Sequence, residues 1–482
     1  MQTHDFGIPL APLARGSDAI IIYNTPKSIP DDKEIKQDAL YGRTKTSAST
    51  ALSNCDSLNV IFTDSGHQRG GYNQCFVIAG NSLESYHINR YERDLLPKSN
   101  DFDLSSTLKH VPRSNEEFVL PSSRAYSSNN GPVREHWQKI LTFVENIDTI
   151  LNELKVIVDP IVKDNSVIVM TVNRGQSDLL RNFVCAARSR NLDISNTIVF
   201  ATDSEAEKVA KGMGLTTYVD KFILGHLPEV EAASYGDPIF AEFMTAKIIS
   251  VLYVSLLGHD VCQQDVDIVW YKSPLPFFLD KSNTDVQKFD ILFQDDGNVQ
   301  TRFAPLSSNS GFYFFRANKK TQYLFTSLLY HAPLVSLTGG HQQVLIQLLQ
   351  EHSSLFGLKV KVFDKFETDY FPCGWTFFRR KDLMKSLLKG ESNSYIYHAS
   401  WTKNKDDKIK YLKQLGEWYV EDRCQKSLDE IMGSELVDKG ALASECCAVE
   451  PLITCHYSDL PSKISCKGSP KNDPKSPDFW DE

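Results

Sequence analysis

Asp265-Val266-Asp267 sets two carboxylates one residue apart within an otherwise apolar stretch. The approach, Val251-Leu252-Tyr253-Val254-Ser255-Leu256-Leu257-Gly258, reads as a buried strand, and Ile268-Val269-Trp270 continues the apolar character. Charges are rare in such surroundings unless they are paired or bind a metal. Two carboxylates held this close repel each other, and a divalent cation turns that repulsion into a binding site. Hard oxygen ligands of this kind suit Mg²⁺ or Mn²⁺ that itself carries a diphosphate. Asp-x-Asp alone is common, and most copies are solvated loop residues, so the flanks decide. Lys272-Ser273-Pro274-Leu275-Pro276 follows at once, which ends the strand and turns the chain just past the acids. Carboxylates at the C-terminal edge of a strand in an α/β sheet stand where such folds place their ligands.

Later segments add polar groups in an ordered series. Asn309-Ser310-Gly311-Phe312-Tyr313-Phe314-Phe315-Arg316 is an apolar strand opened by Asn-Ser-Gly. His398-Ala399-Ser400-Trp401-Thr402 is followed by Lys408 and then by Gly416-Glu417-Trp418-Tyr419. Together with Gly258-His259-Asp260-Val261 through Pro276, the series resembles the nucleotide-diphospho-sugar transferases. These are the plant and protist group of retaining GT-A enzymes, similar to rhamnogalacturonan xylosyltransferases. The resemblance covers roughly residues 165–420, just over half the chain.

That resemblance implies a metal-dependent retaining glycosyltransferase. It would move xylose, galactose or arabinose from a UDP-sugar to a glycan or glycoprotein acceptor, with Mn²⁺ (or Mg²⁺) as cofactor. It implies Asp267 as the direct metal ligand, Asp265 on metal or ribose, and His398 as third ligand. Outside that context His398 reads as a structural histidine. Asn173 and Arg174 at the exit of the first strand, and Asp203 after the second, stand where such folds cradle the nucleoside. An aspartate at a strand end is equally a helix cap. Lys247, on the helix before the metal strand, is either a donor-phosphate contact or a surface lysine. Of Lys403, Lys405 and Lys408, one neutralises the leaving diphosphate. Phe293-Gln294-Asp295-Asp296-Gly297 ends another strand with two more carboxylates, so Asp295, Asp296 and Gln342 are the candidate catalytic residues around the sugar. Relatives commonly carry Asp-Gln where this chain has His341-Gln342, a departure that weakens a sugar-binding carboxylate there and points to altered donor choice or reduced activity. Cys373-Gly374-Trp375 is placed to wall the acceptor side. Front-face transfer, in which the leaving phosphate accepts the acceptor's proton, follows by the same analogy.

The elements that must position these groups follow from pattern and composition. At 482 residues the chain exceeds one ordinary core, so more than one domain is expected. A net charge of −9 without a basic tract excludes a nucleic-acid partner. No apolar stretch is long enough to span a membrane, and no signal peptide stands at the N-terminus. The resemblance implies the Golgi or secretory lumen, whereas the missing anchor fits a cytosolic enzyme. Ten cysteines, five of them at or beyond Cys424, favour disulfides in an oxidising compartment. The absence of any Asn-x-Ser/Thr acceptor points the other way.

Residues 1–54 read as polar loop or disorder, and 55–132 as a small α+β module of unknown role. Within it, Asn59–Thr63 and Gln74–Ala79 read as strands, with Cys55 and Cys75 flanking a hairpin turned at Gly70-Gly71. Residues 133–164 form a helical connector, with Trp137, Ile140, Leu141, Val144, Ile147, Leu151 and Leu154 at steps of three and four. Residues 165–420 form the GT-A domain, and 421–482 a cysteine-rich tail. Strands at 166–172, 196–203 and 215–220, alternating with helices to about Arg190 and over 205–213, predict a Rossmann-like α/β domain with a mixed, mostly parallel sheet. Two other functions fit the residues: a non-catalytic sugar- or nucleotide-binding scaffold, and a haloacid-dehalogenase-type phosphatase using Asp265 as nucleophile. Gln263-Gln264 interrupting the strand argues against the phosphatase.

Overall fold

The structure is a computed structural model. It describes the backbone of five strands between residues 18 and 111 and most of the chain from 131 to 453. Within that range residues 225–226, 228–229, 231–237, 298–305, 333, 336–339, 364–368, 389, 403 and 426–438 are not described. The chain divides into two compact units, the second comprising Asn129–Gly297 and Ser308–Glu482.

The first unit holds a five-stranded sheet of β1 (Asp18–Asn24), β2 (Ser57–Thr63), β3 (Asn73–Asn81), β4 (Tyr86–Asp94) and β5 (Leu108–Val111), in the order β2-β1-β3-β4-β5. Two expectations change here. A strand lies where loop was expected, because Ala19-Ile20-Ile21-Ile22-Tyr23 is rich in β-branched residues. The expected hairpin of β2 with β3 does not form. β1 lies between them, antiparallel to β2 and parallel to β3. Gly70-Gly71 lies outside the described residues.

The second unit begins with α1 (Gly131–Val158), as its periodicity predicts. Its buried stripe is Ile150, Leu154 and Val158, whereas Leu141 and Val144, expected on the core face, are exposed. The central sheet has seven strands: β6 (Ser166–Val172), β7 (Thr197–Ala201), β8 (Thr216–Tyr218), β9 (Asp260–Gln264), β11 (Ile291–Asp295), β12 (Ser308–Phe315) and β13 (Val360–Phe363). Their order is β13-β11-β12-β9-β6-β7-β8. β12 alone runs antiparallel to its neighbours, so the α/β class and the mixed, mostly parallel sheet are as predicted. All seven residues of β6 and all eight of β12 are buried, which is why both read as nearly continuous apolar runs.

From β6 the chain winds outward through α2 (Ser177–Ser189), β7, α3 (Ser204–Gly212) and β8, then crosses back to β9 on the other side of β6. Winding reverses between β6 and β9, and in open α/β sheets the ligand crevice lies outside the carboxyl ends of strands at such a point. The connection passes through α4 (Pro238–Leu256), and here the sequence reading is corrected. Val251–Leu256 is the last part of this helix and not a strand. Buried helix and buried strand share the same unbroken apolar run, and periodicity alone does not separate them. Gly258, at φ +94°, turns the chain into β9. Helices α4, α5 (Lys319–Tyr330) and α6 (His341–Leu355) pack on one another and on β6, β9 and β12.

A two-stranded ribbon completes the frame: β10 (Ile268–Trp270) pairs antiparallel with β14 (Ile396–His398), setting Ile268 opposite His398. The segment after it includes α7 (Lys405–Leu415) and α8 (Ala441–Cys446), and α8 packs back onto α2. Asn182 donates to the Glu417 carbonyl at 2.9 Å and accepts the Tyr419 amide at 2.7 Å. Arg190 pairs with Glu417 at 2.6 Å, and disulfides Cys185–Cys447 and Cys424–Cys446 close the segment. The boundary expected at residue 420 therefore falls inside one packed unit, with Leu442, Ala443 and Cys446 buried.

Reducing both bridges frees this segment from α2 in the unfolded chain. Loss of a native disulfide typically removes about 2–5 kcal/mol. We expect a lowered urea midpoint in the presence of dithiothreitol, measured by circular dichroism; an unchanged midpoint would place the stability elsewhere.

Candidate active site

Asp265 and Asp267 sit in the short connection between β9 and β10, and hydrogen bonds fix that connection at both ends. The Asp265 amide donates to the Gly311 carbonyl at 2.7 Å, extending the β9–β12 pairing by one residue. Gln264, expected to interrupt the strand, lies within β9 with its side chain buried. Its Oε1 accepts the Trp270 indole N–H at 2.7 Å, tying together the two ends of the Asp-Val-Asp turn. On the far side, the Ala399 amide donates to the Asp267 carbonyl at 3.0 Å. The ribbon register then brings His398 onto Asp267. Ligand atoms of Asp265, Asp267 and His398 all lie within 4.8 Å of one another.

The tautomer of His398 follows from its neighbours. Gln294 Nε2 donates to the carbonyls of Phe371 and Pro372 at 2.9 and 3.0 Å, which fixes its Oε1 as an acceptor. His398 Nδ1 lies 2.7 Å from that oxygen and must carry the proton. Nε2 is then left facing Asp267 Oδ1 at 3.3 Å, and that buried oxygen makes no hydrogen bond. In the neutral imidazole, two electron-pair donors point at one another, an arrangement that a divalent cation completes. Gly311 keeps the space clear. A Cβ there would lie 2.5 Å from His398 Cε1 and 2.9 Å from Asp265 Oδ2.

Two lysines flank the acids. Lys247, on α4, reaches Asp265 Oδ1 at 2.6 Å, and Lys408, on α7, reaches Asp267 Oδ2 at 2.7 Å. Burial opposes charge on Asp267, yet the Lys408 ammonium outweighs it and holds the carboxyl well below its ordinary range. Burial likewise works against the Lys408 ammonium, while Asp267 raises its pKa.

The second acid pair lies at the end of β11, where the β11–β12 register shifts between Phe293 and Asp295. Such an irregularity re-aims side chains. Asn309 donates to Asp296 Oδ1 at 2.8 Å, and Gln342 also hydrogen-bonds that carboxyl. Burial, reinforced by Asp295, pushes the Asp296 pKa up to about 7. Gln342 Oε1 accepts from the Ser310 amide at 2.9 Å, so Asp295, Asp296 and Gln342 gather around the start of β12. His341 begins α6, buried, and burial with the nearby Lys247 ammonium lowers its pKa to about 3. A neutral imidazole thus occupies the position discussed for a carboxylate. Trp375 packs against Gly297, where a Cβ would meet it at 2.2 Å. Trp401 Nε1 donates to the Asp296 carbonyl at 2.6 Å.

Other predicted residues have structural partners. Asp203 caps α3 through Ala206 at 2.8 Å and accepts the Arg174 amide at 2.6 Å. It is the helix cap that the sequence left open. Asn173 donates to the Val230 carbonyl at 2.9 Å. Lys405 lies 3.7 Å from Asp178, and Lys403 falls outside the described residues. Gln264, Gln294 and Gly311 were not singled out for the site. The only signal is positional: β11 ends in Gln294-Asp295, and β9 ends in Gln264 with Asp265 next in the chain.

Comparison with known proteins finds similarity to sugar-transferring enzymes. The model of the nucleotide-diphospho-sugar transferase family matches residues 193–412. Beta-arabinofuranosyltransferase RAY1 of Arabidopsis thaliana is 28% identical over 182 residues, 36% of this chain and 32% of that protein. The UDP-galactose:fucoside alpha-3-galactosyltransferase of Dictyostelium discoideum is 23% identical over 299 residues, 54% of this chain and 44% of that protein. The matches therefore span less than half of those relatives. The structure of mouse xyloside xylosyltransferase 1 is similar at 13% identity, covering 50% of this chain and 99% of that one, with a TM-score of 0.28.

Two outcomes follow from this geometry. Gly311→Ala wedges a methyl group between His398 and Asp265, and should weaken Mn²⁺ binding about 10- to 100-fold, the usual effect of disturbing a ligand's surroundings; calorimetry checks it. Asp296 binds its proton more tightly folded than unfolded, so its contribution to stability is present at low pH and lost as pH rises towards about 7. Replacing it by Asn should make the variant progressively more stable than wild type between about pH 4 and 7, by a few kcal/mol at most. Urea titrations across that range would show it.

Proposed function

We propose that this chain, whose residues 193–412 match the model of the nucleotide-diphospho-sugar transferase family, is a metal-dependent retaining glycosyltransferase of that family. It moves a sugar from a UDP-sugar donor to a glycan or glycoprotein acceptor on a GT-A-type architecture. The observation that carries metal dependence is the approach of Asp267 Oδ1 and His398 Nε2 to 3.3 Å, with the imidazole's other nitrogen already committed to Gln294. Asp265, Asp267 and His398 would hold Mn²⁺ or Mg²⁺, which supplies Lewis acidity to the departing diphosphate.

The chain's own residues divide the remaining work. Lys247 and Lys408 bring positive charge to the diphosphate. Asn173 and Arg174 stand at the β6 exit, on the switch-point crevice, for the nucleoside. Asp295, Asp296 and Gln342 address the sugar hydroxyls, with Asn309 and Ser310 holding their orientation. The acceptor hydroxyl oxygen attacks the anomeric carbon as its bond to the diphosphate breaks, and the hydroxyl proton passes to the departing phosphate oxygen. Arabinose and galactose are supported as donor sugars by the names of the relatives, and xylose belongs to the same set. The two disulfides support a Golgi or secretory lumen. Among the described residues no helix is long and apolar enough to cross a membrane. The family match covers the segment that carries Asp265, which supports the transferase reading over the phosphatase one.

UDP release from UDP-arabinose, UDP-galactose and UDP-xylose, with and without Mn²⁺, tests the proposal. Metal-dependent hydrolysis of one donor, reduced at least about a hundredfold in Asp267→Ala, is expected for loss of a group that acts on the departing charge. If no donor turns over while UDP and Mn²⁺ still raise the melting temperature, the chain is a binding scaffold and not a transferase.

A further inference from the structure

The metal-ligand carboxylates are already neutralised by the protein. Lys247 and Lys408 each hold one carboxylate, at 2.6 and 2.7 Å, and two ammoniums balance two carboxylates. Lys247, Asp267 and His398 are buried, so the cluster has little water with which to disperse an unbalanced charge. A divalent cation entering alone would leave two positive charges in excess, and an uncompensated buried charge is strongly disfavoured. A nucleotide-sugar diphosphate carries two negative charges, so cation and diphosphate entering together restore neutrality.

The two lysines also come from elements that share no backbone hydrogen bonds with the acids. Lys247 projects from α4 and Lys408 from α7, whereas Asp265 and Asp267 belong to the β9–β10 connection. Each lysine is a long, unbranched side chain on a helix, free to leave its carboxylate by rotamer change without moving the backbone. The acids are held by the backbone bonds to Gly311 and Ala399. Lysine, not carboxylate, is the part that can move when a ligand arrives.

We propose that Lys247 and Lys408 are exchangeable counter-ions that compete with the metal for Asp265 and Asp267, and that the donor diphosphate draws them off and thereby couples nucleotide binding to metal binding. This rests on the transferase reading and adds a thermodynamic consequence to it. Metal and nucleotide each tighten the other, by the same factor.

The test is Mn²⁺ binding by electron paramagnetic resonance of the free ion, with and without saturating UDP, in wild type, Lys247→Met, Lys408→Met and Lys408→Arg. Wild type should bind Mn²⁺ weakly alone and about 10- to 100-fold more tightly with UDP, within the usual span of coupling between sites. Each methionine variant should bind Mn²⁺ alone more tightly than wild type, because a competitor is gone, and should show a smaller UDP effect. Lys408→Arg keeps the charge and should behave like wild type. If both methionine variants leave Mn²⁺ binding unchanged or weaken it, the counter-ion role is overturned while the transferase reading stands. If wild type binds Mn²⁺ and UDP independently, the coupling is overturned in the same way. If it binds neither, the proposal falls together with the function.

Discussion

Three residue pairs of antiparallel ribbon hold this site together. The pairing of Ile268–Trp270 with Ile396–His398 sets His398 against Asp267, and nothing in the seven-stranded sheet would do so alone. Everything nearby reinforces it. Trp270 closes onto Gln264, Ala399 donates to the Asp267 carbonyl, and His398 donates its own amide to Pro372. Lys408 then enters from α7 across a separation of 141 residues. The large sheet supplies rigidity and a switch-point crevice, and the small ribbon supplies the chemistry.

The glutamines explain how polar groups stay fixed in so apolar a core. An unpartnered buried amide is costly, whereas a fully bonded one specifies a single arrangement. Gln294 uses three hydrogen bonds to orient His398. Gln264 fixes the turn that carries both aspartates. Asp296 is held differently. Its bonds to Asn309 and Gln342 only partly offset burial, so its proton is retained to about pH 7, in contrast to Asp267, which the Lys408 ammonium holds well below the ordinary range. Two aspartates of one site are thereby shifted in opposite directions.

Much of this was legible in the sequence. Alternating apolar segments and helical periods located β6, α2, β7 and α3 to within a residue or two, since each buries a continuous run or a clear stripe. The Asp-Val-Asp turn, the Asn-Ser-Gly strand and the His-x-x-Trp segment stood out as polar groups in apolar settings. Other features are set by pairing between distant segments and leave no local trace. Val251–Leu256 has the composition of a strand, and only the return path from β8 to β9 makes it helical. The insertion of β1 between β2 and β3 depends on a partner choice made over tens of residues. Gly311 is legible only as part of the Asn-Ser-Gly opening of its strand; its role, the absence of a Cβ beside residues far away in the chain, leaves no local trace.

The bridge between Cys185 and Cys447 spans 262 residues, and its neighbour Cys446 is bonded to Cys424. During synthesis, Cys185 and Cys424 must therefore both wait for one short helix near the C-terminus before either can be oxidised correctly. Until α8 has emerged, the only oxidation open to them is wrong. A chain truncated before Cys446 would leave the sulfurs of Cys185 and Cys424 both without their partners, and the vicinal pair supplies the two together.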